Sequence, residues 1–352
     1  MFVRNNWYVA AWSHEVSHEP LGRRILGQNI VLVRLNDELT AIEDRCPHRG
    51  MPLSQGRIVE GTLQCAYHGL RFNAQGQCVK IPGQEKIPEA ACVKSFLTKE
   101  QDGAVWIWMG EPRLAHVHEI PEFPLHSDPN WLWHGETVQF KANHLYIYDN
   151  LLDLTHVGYV HQHTIGGQEE THSTAETKIE QNGNTVTVTR KMLAVDAPPT
   201  YKAVVPFTNK VDRWQRVEFR PGLVIISVGA NERTDGAKQP LSYSASSFQA
   251  ITPETEERTH YFWSTGVDRG RFGEQDLAIK IDQVRKTFEE DLVVIEAQFK
   301  RIMDDPERPL LAIRSDAASI MARRILEQQL AAEVSASDEP ATKVITSSVT
   351  EH

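Results

Sequence analysis

The chain has 352 residues, 40% hydrophobic and 24% charged, with a formal net charge of −10. That length allows two domains with substantial cores, and the acidic balance argues against nucleic acid or an anionic membrane as the main partner. No apolar run approaches the ~18 residues of a membrane-spanning helix, and Met1–Trp7 lacks the apolar core of a signal peptide. A soluble cytoplasmic protein is expected.

Residues 1 to about 112 read as short strands. Ile30–Leu35 and Glu38–Glu43 flank Asn36-Asp37, two residues that tolerate positive φ, which signals a hairpin. Ala104–Met109 is a strongly apolar strand, broken by Gly110-Glu111-Pro112. An irregular linker with Pro121 and Pro124 runs to about residue 130. Glu136–Asn143 then reads as a strand leading into a helical stretch from Tyr146 to His161. Strands follow at Thr185–Thr189, Val211–Phe219 and Leu223–Val228. Tyr243–Ile251 and Thr259–Ser264 form a further pair, joined by Thr252-Pro253-Glu254-Thr255. Helices are expected over Glu274–Met303 and about Asp316–Glu333. The tail from Val334 to His352 has no periodicity and is expected to be disordered. The predicted class is α+β: a small antiparallel β-domain over 1–112, a sheet backed by helices over 113–333, and the tail.

Two neighbouring turns carry the first chemistry: Cys46-Pro47-His48-Arg49-Gly50 and Cys65-Ala66-Tyr67-His68-Gly69. Each supplies one thiolate and one imidazole. Two Cys and two His can hold one zinc, or a [2Fe-2S] cluster with Cys on one iron and His on the other. Three details favour the cluster. A single residue separates Cys46 from His48, fewer than in a zinc knuckle. Gly50 and Gly69 let backbone N–H groups bend towards sulfur. Alternating apolar stretches flank both turns. Of the other cysteines, Cys78 and Cys92 could bridge, but buried free thiols are expected in a cytoplasmic chain.

The second informative stretch runs from Asn150 to His161. Asn150, Asp153 and His156 are three apart and would share one face of a helix. His161, five after His156, would point away on an ideal helix. A π-type turn, or a helix ending near Gly158, would bring both rings to one point. The plain alternative is a pair of core histidines capped by helix carbonyls. An Fe(II) site needs two His and one carboxylate. In the long helix the apolar stripe is Leu277, Ile281, Val284, Phe288, Ile295 and Phe299, and Asp291 fills the gap in it. A carboxylate on a buried face is costly unless paired or bound to metal, so Asp291 is the predicted third ligand. Glu289 and Glu290 fall off the stripe and are expected to be solvated.

CPHRG followed by CxYHGL resembles the Rieske domain of non-haem iron aromatic oxygenases, and the resemblance extends to about residue 330. It is strongest to the O-demethylase branch typified by the vanillate O-demethylase oxygenase, with toluenesulfonate methyl-monooxygenases and dicamba O-demethylases as near relatives. Asn6–Ala10, Val211–Gln215 and Ile251–Thr255 carry that branch resemblance. Glu290–Ala297 is similar to the family segment E-D-x-V-V-x-E-A, which holds the carboxylate ligand, and so again indicates Asp291. The resemblance implies a Rieske [2Fe-2S] cluster on Cys46, His48, Cys65 and His68, and mononuclear Fe(II) on His156, His161 and Asp291. It further implies that Asp153 links His156 to the partner subunit's His68 in a head-to-tail trimer, and that Asn150 supports the iron. The implied co-substrates are O2 and NADH, the latter through a flavin and [2Fe-2S] ferredoxin-type reductase. The implied reaction is O-demethylation of a methoxylated aromatic acid, giving a phenol and formaldehyde. Methyl hydroxylation of an aryl sulfonate or carboxylate, or ring cis-dihydroxylation, would use the same ligands. For substrate contacts, Gln249 and His260 are polar groups in strand-like runs, and Arg216 and Arg220 are candidate anion partners; each could equally be an ordinary strand residue. The dicamba enzymes have histidine where Gln249 aligns, so their carboxylate recognition does not carry over.

Overall fold

The computed structural model describes residues 1–234 and 240–338. Its N-terminal third is built from three small antiparallel sheets. Trp7–Trp12 pairs with Ala104–Trp108, which pairs with Thr98–Gln101. Leu21–Ile25, Gln28–Leu35 and Glu38–Glu43 form the second sheet. Arg57–Val59, Thr62–Gln64, Arg71–Phe72 and Cys78–Lys80 form the third. The predicted hairpin is present: Asn36 and Asp37 have φ of 52° and 67°, as a tight two-residue turn demands. Between the second and third sheets lies an apolar core of Val31, Val33, Ile42, Leu53, Leu63 and Phe72, which also buries Cys46 and Cys65.

The C-terminal two thirds centre on a seven-stranded antiparallel sheet. Its spatial order is Trp131–Phe140, Arg258–Asp268, Ser242–Thr255, Leu223–Glu232, Val211–Arg220, Thr185–Val195 and Glu176–Asn182. Side chains alternate across the sheet, so its two faces make two different cores. Val224, Ile251, Tyr261 and Trp263 face the helices Glu274–Met303 and Ala317–Asp338, where Leu277, Phe288, Ile295, Ala322 and Ile325 cover them. Leu223, Phe248, Ala250 and Phe262 face the N-terminal sheets and pack on Val9, Trp12 and Trp106. The seven-stranded sheet is therefore sandwiched between its own helices and the N-terminal sheets.

The structure corrects several expectations. The stretch from Tyr146 to His161 is two helices, His144–Leu152 and Val157–Val160, with an irregular turn between them. Thr252–Thr255 belongs to a strand, not to its joint. Pro253 sits at a register shift there, and its carbonyl and that of Glu254 accept from the N–H groups of Leu26 and Gly27. Pro253 thus lies where its missing N–H breaks no regular ladder. Glu176–Asn182 is an edge strand whose polar, exposed sequence carries no alternation to read. The last helix continues through Val334 to Asp338, so the first residues of the expected tail are helical; the rest of it lies outside the described residues. No helix among the described residues is long and apolar enough to cross a membrane.

Candidate cluster and iron sites

The first site lies on two matching loops. In each, the glycine N–H closes the turn onto the cysteine carbonyl: Gly50 to Cys46 at 2.9 Å and Gly69 to Cys65 at 3.1 Å. Both glycines have left-handed backbones, φ of 71° and 72°, where a Cβ would be strained. The turns direct the backbone N–H groups of His48 and Arg49 at the Cys46 sulfur. These donors oppose burial, which together with the neighbouring Cys65 thiol pushes the Cys46 thiol up. Cys46 and Cys65 are buried, whereas His48 and His68 are exposed, their ring centroids 4.5 Å apart. A single tetrahedral zinc would draw its four ligand atoms to about 3.5 Å of one another, given bonds of 2.0–2.3 Å. Among the described residues, no three of these four bring ligand atoms within 4.8 Å of one another. The donor set is split into inner thiols and outer imidazoles, which suits two metals with Cys on one and His on the other.

The second site does bring such atoms together. Ligand atoms of His156, His161 and Asp291 lie within 4.8 Å of one another. Asp291 Oδ1 is 3.0 Å from His161 Nε2 and 3.6 Å from His156 Nε2. The backbone explains the convergence. Asp153 ends the first helix, and a new helical turn starts at Val157. After His161 the chain enters a wide π-type turn over Gln162–Gly166, with the Gly166 N–H on the His161 carbonyl at 2.8 Å. Helix interruption and widened turn together aim both rings at Asp291.

Each ring is locked by its outer nitrogen. His156 Nδ1 donates to the Asp153 carbonyl at 2.6 Å, and His161 Nδ1 donates to Glu290 Oε2 at 2.7 Å. Both therefore present Nε2 lone pairs inward, as metal-binding imidazoles require. Thr164 Oγ1 donates to the same Glu290 oxygen at 2.8 Å. Asn150 Nδ2 donates to Asp291 Oδ1 at 3.0 Å and lies 3.5 Å from His156 Nε2. Burial pulls the His156 pKa down despite Asp291, whereas Asp291 and Glu290 outweigh burial at His161 and raise it. His161 is 1% exposed and Asp291 6%. Burying these groups with one carboxylate oxygen and two ring nitrogens turned to one point suits a divalent metal.

Two expectations about neighbours fail here. Glu290 is not simply solvated: residues 290 and 291 are adjacent on the helix, and both reach His161, one at each ring nitrogen. The Asp153 carboxylate does not hold His156 either. Its Oδ1 accepts from the N–H and hydroxyl of Thr155, at 2.9 and 2.7 Å, and its backbone carbonyl holds the ring.

Beside this site is a cavity of ≈ 140 Å³ walled by Tyr201, Tyr243, Trp263 and Phe288. It reaches Thr287, four residues before Asp291, and Ile165, four after His161. Gln249 lines it, accepting from the Tyr261 hydroxyl and donating to Ser247 Oγ at 3.0 Å. His260 and Arg216 do not line it, because strand alternation turns them away. His260 meets the Arg24 carbonyl at 3.0 Å on the face towards the N-terminal sheets. Arg216 and Arg220 are exposed and paired with Glu218. Their inward-facing strand neighbour is Arg213, which the sequence reading passed over although Val211, Arg213, Gln215, Val217 and Phe219 alternate as a buried row. Cys78 and Cys92 are free thiols, Cys78 buried and Cys92 exposed, which corrects the expectation for Cys92.

A cluster-binding β-domain beside a sheet-and-helix domain with a two-histidine, one-carboxylate site defines an iron oxygenase component with two metal centres. Residues 6–96 match the Rieske [2Fe-2S] domain, and residues 140–332 match the vanillate O-demethylase oxygenase C-terminal domain. The chain is 38% identical to a toluene-4-sulfonate monooxygenase system iron-sulfur subunit of Comamonas testosteroni, covering 95% of this chain and 98% of that one. It is 37% identical to the vanillate O-demethylase oxygenase subunit of a Pseudomonas strain, covering 96% and 98%. Crystal structures of dicamba monooxygenase share the fold at 30% identity. The complex with 3,6-dichlorosalicylic acid gives a TM-score of 0.85, with 96% and 99% of the two chains covered. That with non-heme iron and dicamba gives 0.78, covering 95% and 99%. The chain belongs to the Rieske non-haem iron oxygenases of the vanillate O-demethylase type. It is a monooxygenase component whose cofactors are a [2Fe-2S] Rieske cluster and mononuclear non-haem iron.

Proposed function

We propose that this oxygenase O-demethylates a methoxylated aromatic acid, with electrons from NADH delivered by a separate flavin and ferredoxin-type reductase. The observation that carries the reading is the aromatic-walled cavity ending one helical turn from the His156, His161 and Asp291 set. We assign the cluster to Cys46, His48, Cys65 and His68, within a unit over 1–112, and the iron to His156, His161 and Asp291, within a unit over 113–333. When bound, the iron would supply O2 activation and the cluster single electrons. The chain's own residues do the rest. Asn150 and Glu290 hold the ligands in place. Trp263 and Phe288 give the cavity an apolar aromatic wall that excludes water. Gln249, fixed by Tyr261, offers one polar contact beside the reacting end. Hydroxylation of a bound methyl ether yields a hemiacetal that collapses to phenol and formaldehyde. In the head-to-tail trimer of this reading, Asp153, whose Oδ1 is held by Thr155, would accept from the partner subunit's His68 through Oδ2. The absence of a membrane-length helix among the described residues is consistent with a cytoplasmic location. A second reading, methyl hydroxylation of an aryl sulfonate, is supported by the name of the Comamonas relative.

The test is product analysis with added reductase and NADH across methoxybenzoates and methylated arylsulfonates. Formaldehyde appearing in step with a phenolic acid is the expected result. A benzylic alcohol without formaldehyde would favour the second reading, and a dihydrodiol would overturn both.

A further inference from the structure

Four buried polar groups line the cavity without adequate partners. Among the described residues, the nitrogens Arg213 Nε and Trp263 Nε1 and the hydroxyl Thr200 Oγ1 have no hydrogen-bond partner. Lys280, 5% exposed, makes one hydrogen bond, from Nζ to the Gly266 carbonyl at 2.7 Å, which leaves two ammonium hydrogens unused. Its ammonium stands over the Tyr243 ring, 5.9 Å from the centroid. Among the described residues no carboxylate lines this cavity or pairs with Lys280. A protein with a net charge of −10 thus keeps two cations and, among the described residues, no anion around this aromatic-walled pocket. The two differ in what they are free to do. Arg213 spends its terminal nitrogens on the carbonyls of Ile165 and Gly166, and so braces the turn that follows His161. Lys280 braces nothing in the metal site.

Lys280 also has a defined place relative to the iron site. It lies eleven residues before Asp291 on one uninterrupted helix. Eleven residues are close to three full turns, so both side chains occupy one face, about 16 Å apart along the axis. A cavity of about 150 Å³ holds one benzene ring, and this one is ≈ 140 Å³. One aromatic ring therefore fits between the ammonium and the ligand set.

We infer that Lys280 is the counter-ion for the acid group of the substrate, holding it at the end of the cavity remote from His156, His161 and Asp291. This rests on the O-demethylase reading and narrows it: the acid stands para or meta to the reacting carbon, not ortho. Burial without a partner pushes the Lys280 ammonium down to about 7, and a bound carboxylate or sulfonate supplies the missing charge.

The test uses the iron-loaded, full-length enzyme and measures binding by calorimetry, independent of turnover. The ligands are 4-methoxybenzoate, 2-methoxybenzoate, methyl 4-methoxybenzoate and 4-methylbenzenesulfonate, the last reporting which acid group is preferred. Removing one partner of a buried ion pair should weaken 4-methoxybenzoate by on the order of 30-fold or more in Lys280→Met. The neutral ester should bind both proteins alike, and Lys280→Arg should recover part of the loss. Melting temperatures report folding, and Lys280→Met should melt no lower than the wild type, since an unpaired buried charge is removed. Equal loss for acid and ester, no loss for either, or tightest binding of the ortho isomer would overturn the inference. Lys280-dependent binding of the acid without formaldehyde on turnover would instead leave this inference standing and sink the O-demethylase reading.

Discussion

At the scale of single residues, the catalytic half is decided by which groups are buried and what each one touches. Glu290 is the clearest case. It accepts from His161 and Thr164 while its neighbour Asp291 faces the inner nitrogen of the same ring. Glu290→Gln replaces an anionic acceptor with an amide and loosens the ring, so iron affinity should fall by about 10- to 100-fold. Titration with Fe(II) checks this; unchanged affinity would mean that Glu290 is incidental. Lys280 makes a pH prediction in the absence of substrate. The groups facing it are the Tyr243 ring and the Gly266 carbonyl. Its folded pKa is about 7 against the ordinary 10.5. Between those values the unfolded chain holds the proton and the folded chain does not, so stability rises with pH across that window. Below pH 7 both states are protonated and the full penalty persists. Denaturant unfolding of wild type against Lys280→Met, from pH 7 to 10, should show the difference between them shrinking as pH rises. A constant difference would contradict it.

At the scale of elements, much of the site was readable because each element announces its buried face. The long helix shows it best: Asp291 interrupts an apolar stripe, and a carboxylate there needs a reason. The same logic applied to Lys280, one helical turn before Val284, would have found it. Alternation along Val211–Arg220 would likewise have preferred Arg213 over Arg216. The break between Leu152 and Val157 was not legible. Asn150, Asp153 and His156 have helical spacing, and only the capping of Thr155 by Asp153 ends the helix there. Glu290 was missed for a related reason. Helical position marks it as off the stripe, but a long acidic side chain can fold back to a histidine from another element. Two element-level predictions follow from packing. Phe288 fills the space between Tyr261 and Trp263, at 5.0 and 5.2 Å between centroids. Phe288→Ala should lower unfolding free energy by about 3–5 kcal/mol and enlarge the cavity. Gly50→Ala forces a Cβ into a left-handed turn and should cost about 1–2 kcal/mol, read by thermal unfolding together with the cluster's visible absorption.

At the scale of the whole molecule, the two metal-bearing halves meet through one face of the large sheet. His126 is fixed at this junction. Its Nδ1 donates to the Asp102 carbonyl and its Nε2 accepts from the Ser264 hydroxyl, both at 2.6 Å, while its ring stacks on Trp133 and touches Trp12 edge-on. Burial holds its pKa down at about 4. As pH falls from 6.5 towards 4 the unfolded chain takes up a proton that the folded junction refuses, so stability at this residue is lost over that window. His126→Gln should flatten the acid limb of the stability profile between those values; an unchanged limb would remove His126 as its cause. The central claim, however, is that the chain holds its iron in two separate places. The direct measurement is iron and sulfide per chain, for the wild type and for His156→Ala with His161→Ala. The account predicts two cluster irons plus one mononuclear iron in the wild type. In the variant it predicts loss of the mononuclear iron alone, with the cluster's absorption and paramagnetic signal intact and no turnover. A variant that keeps all its iron, or loses the cluster with it, would contradict the account.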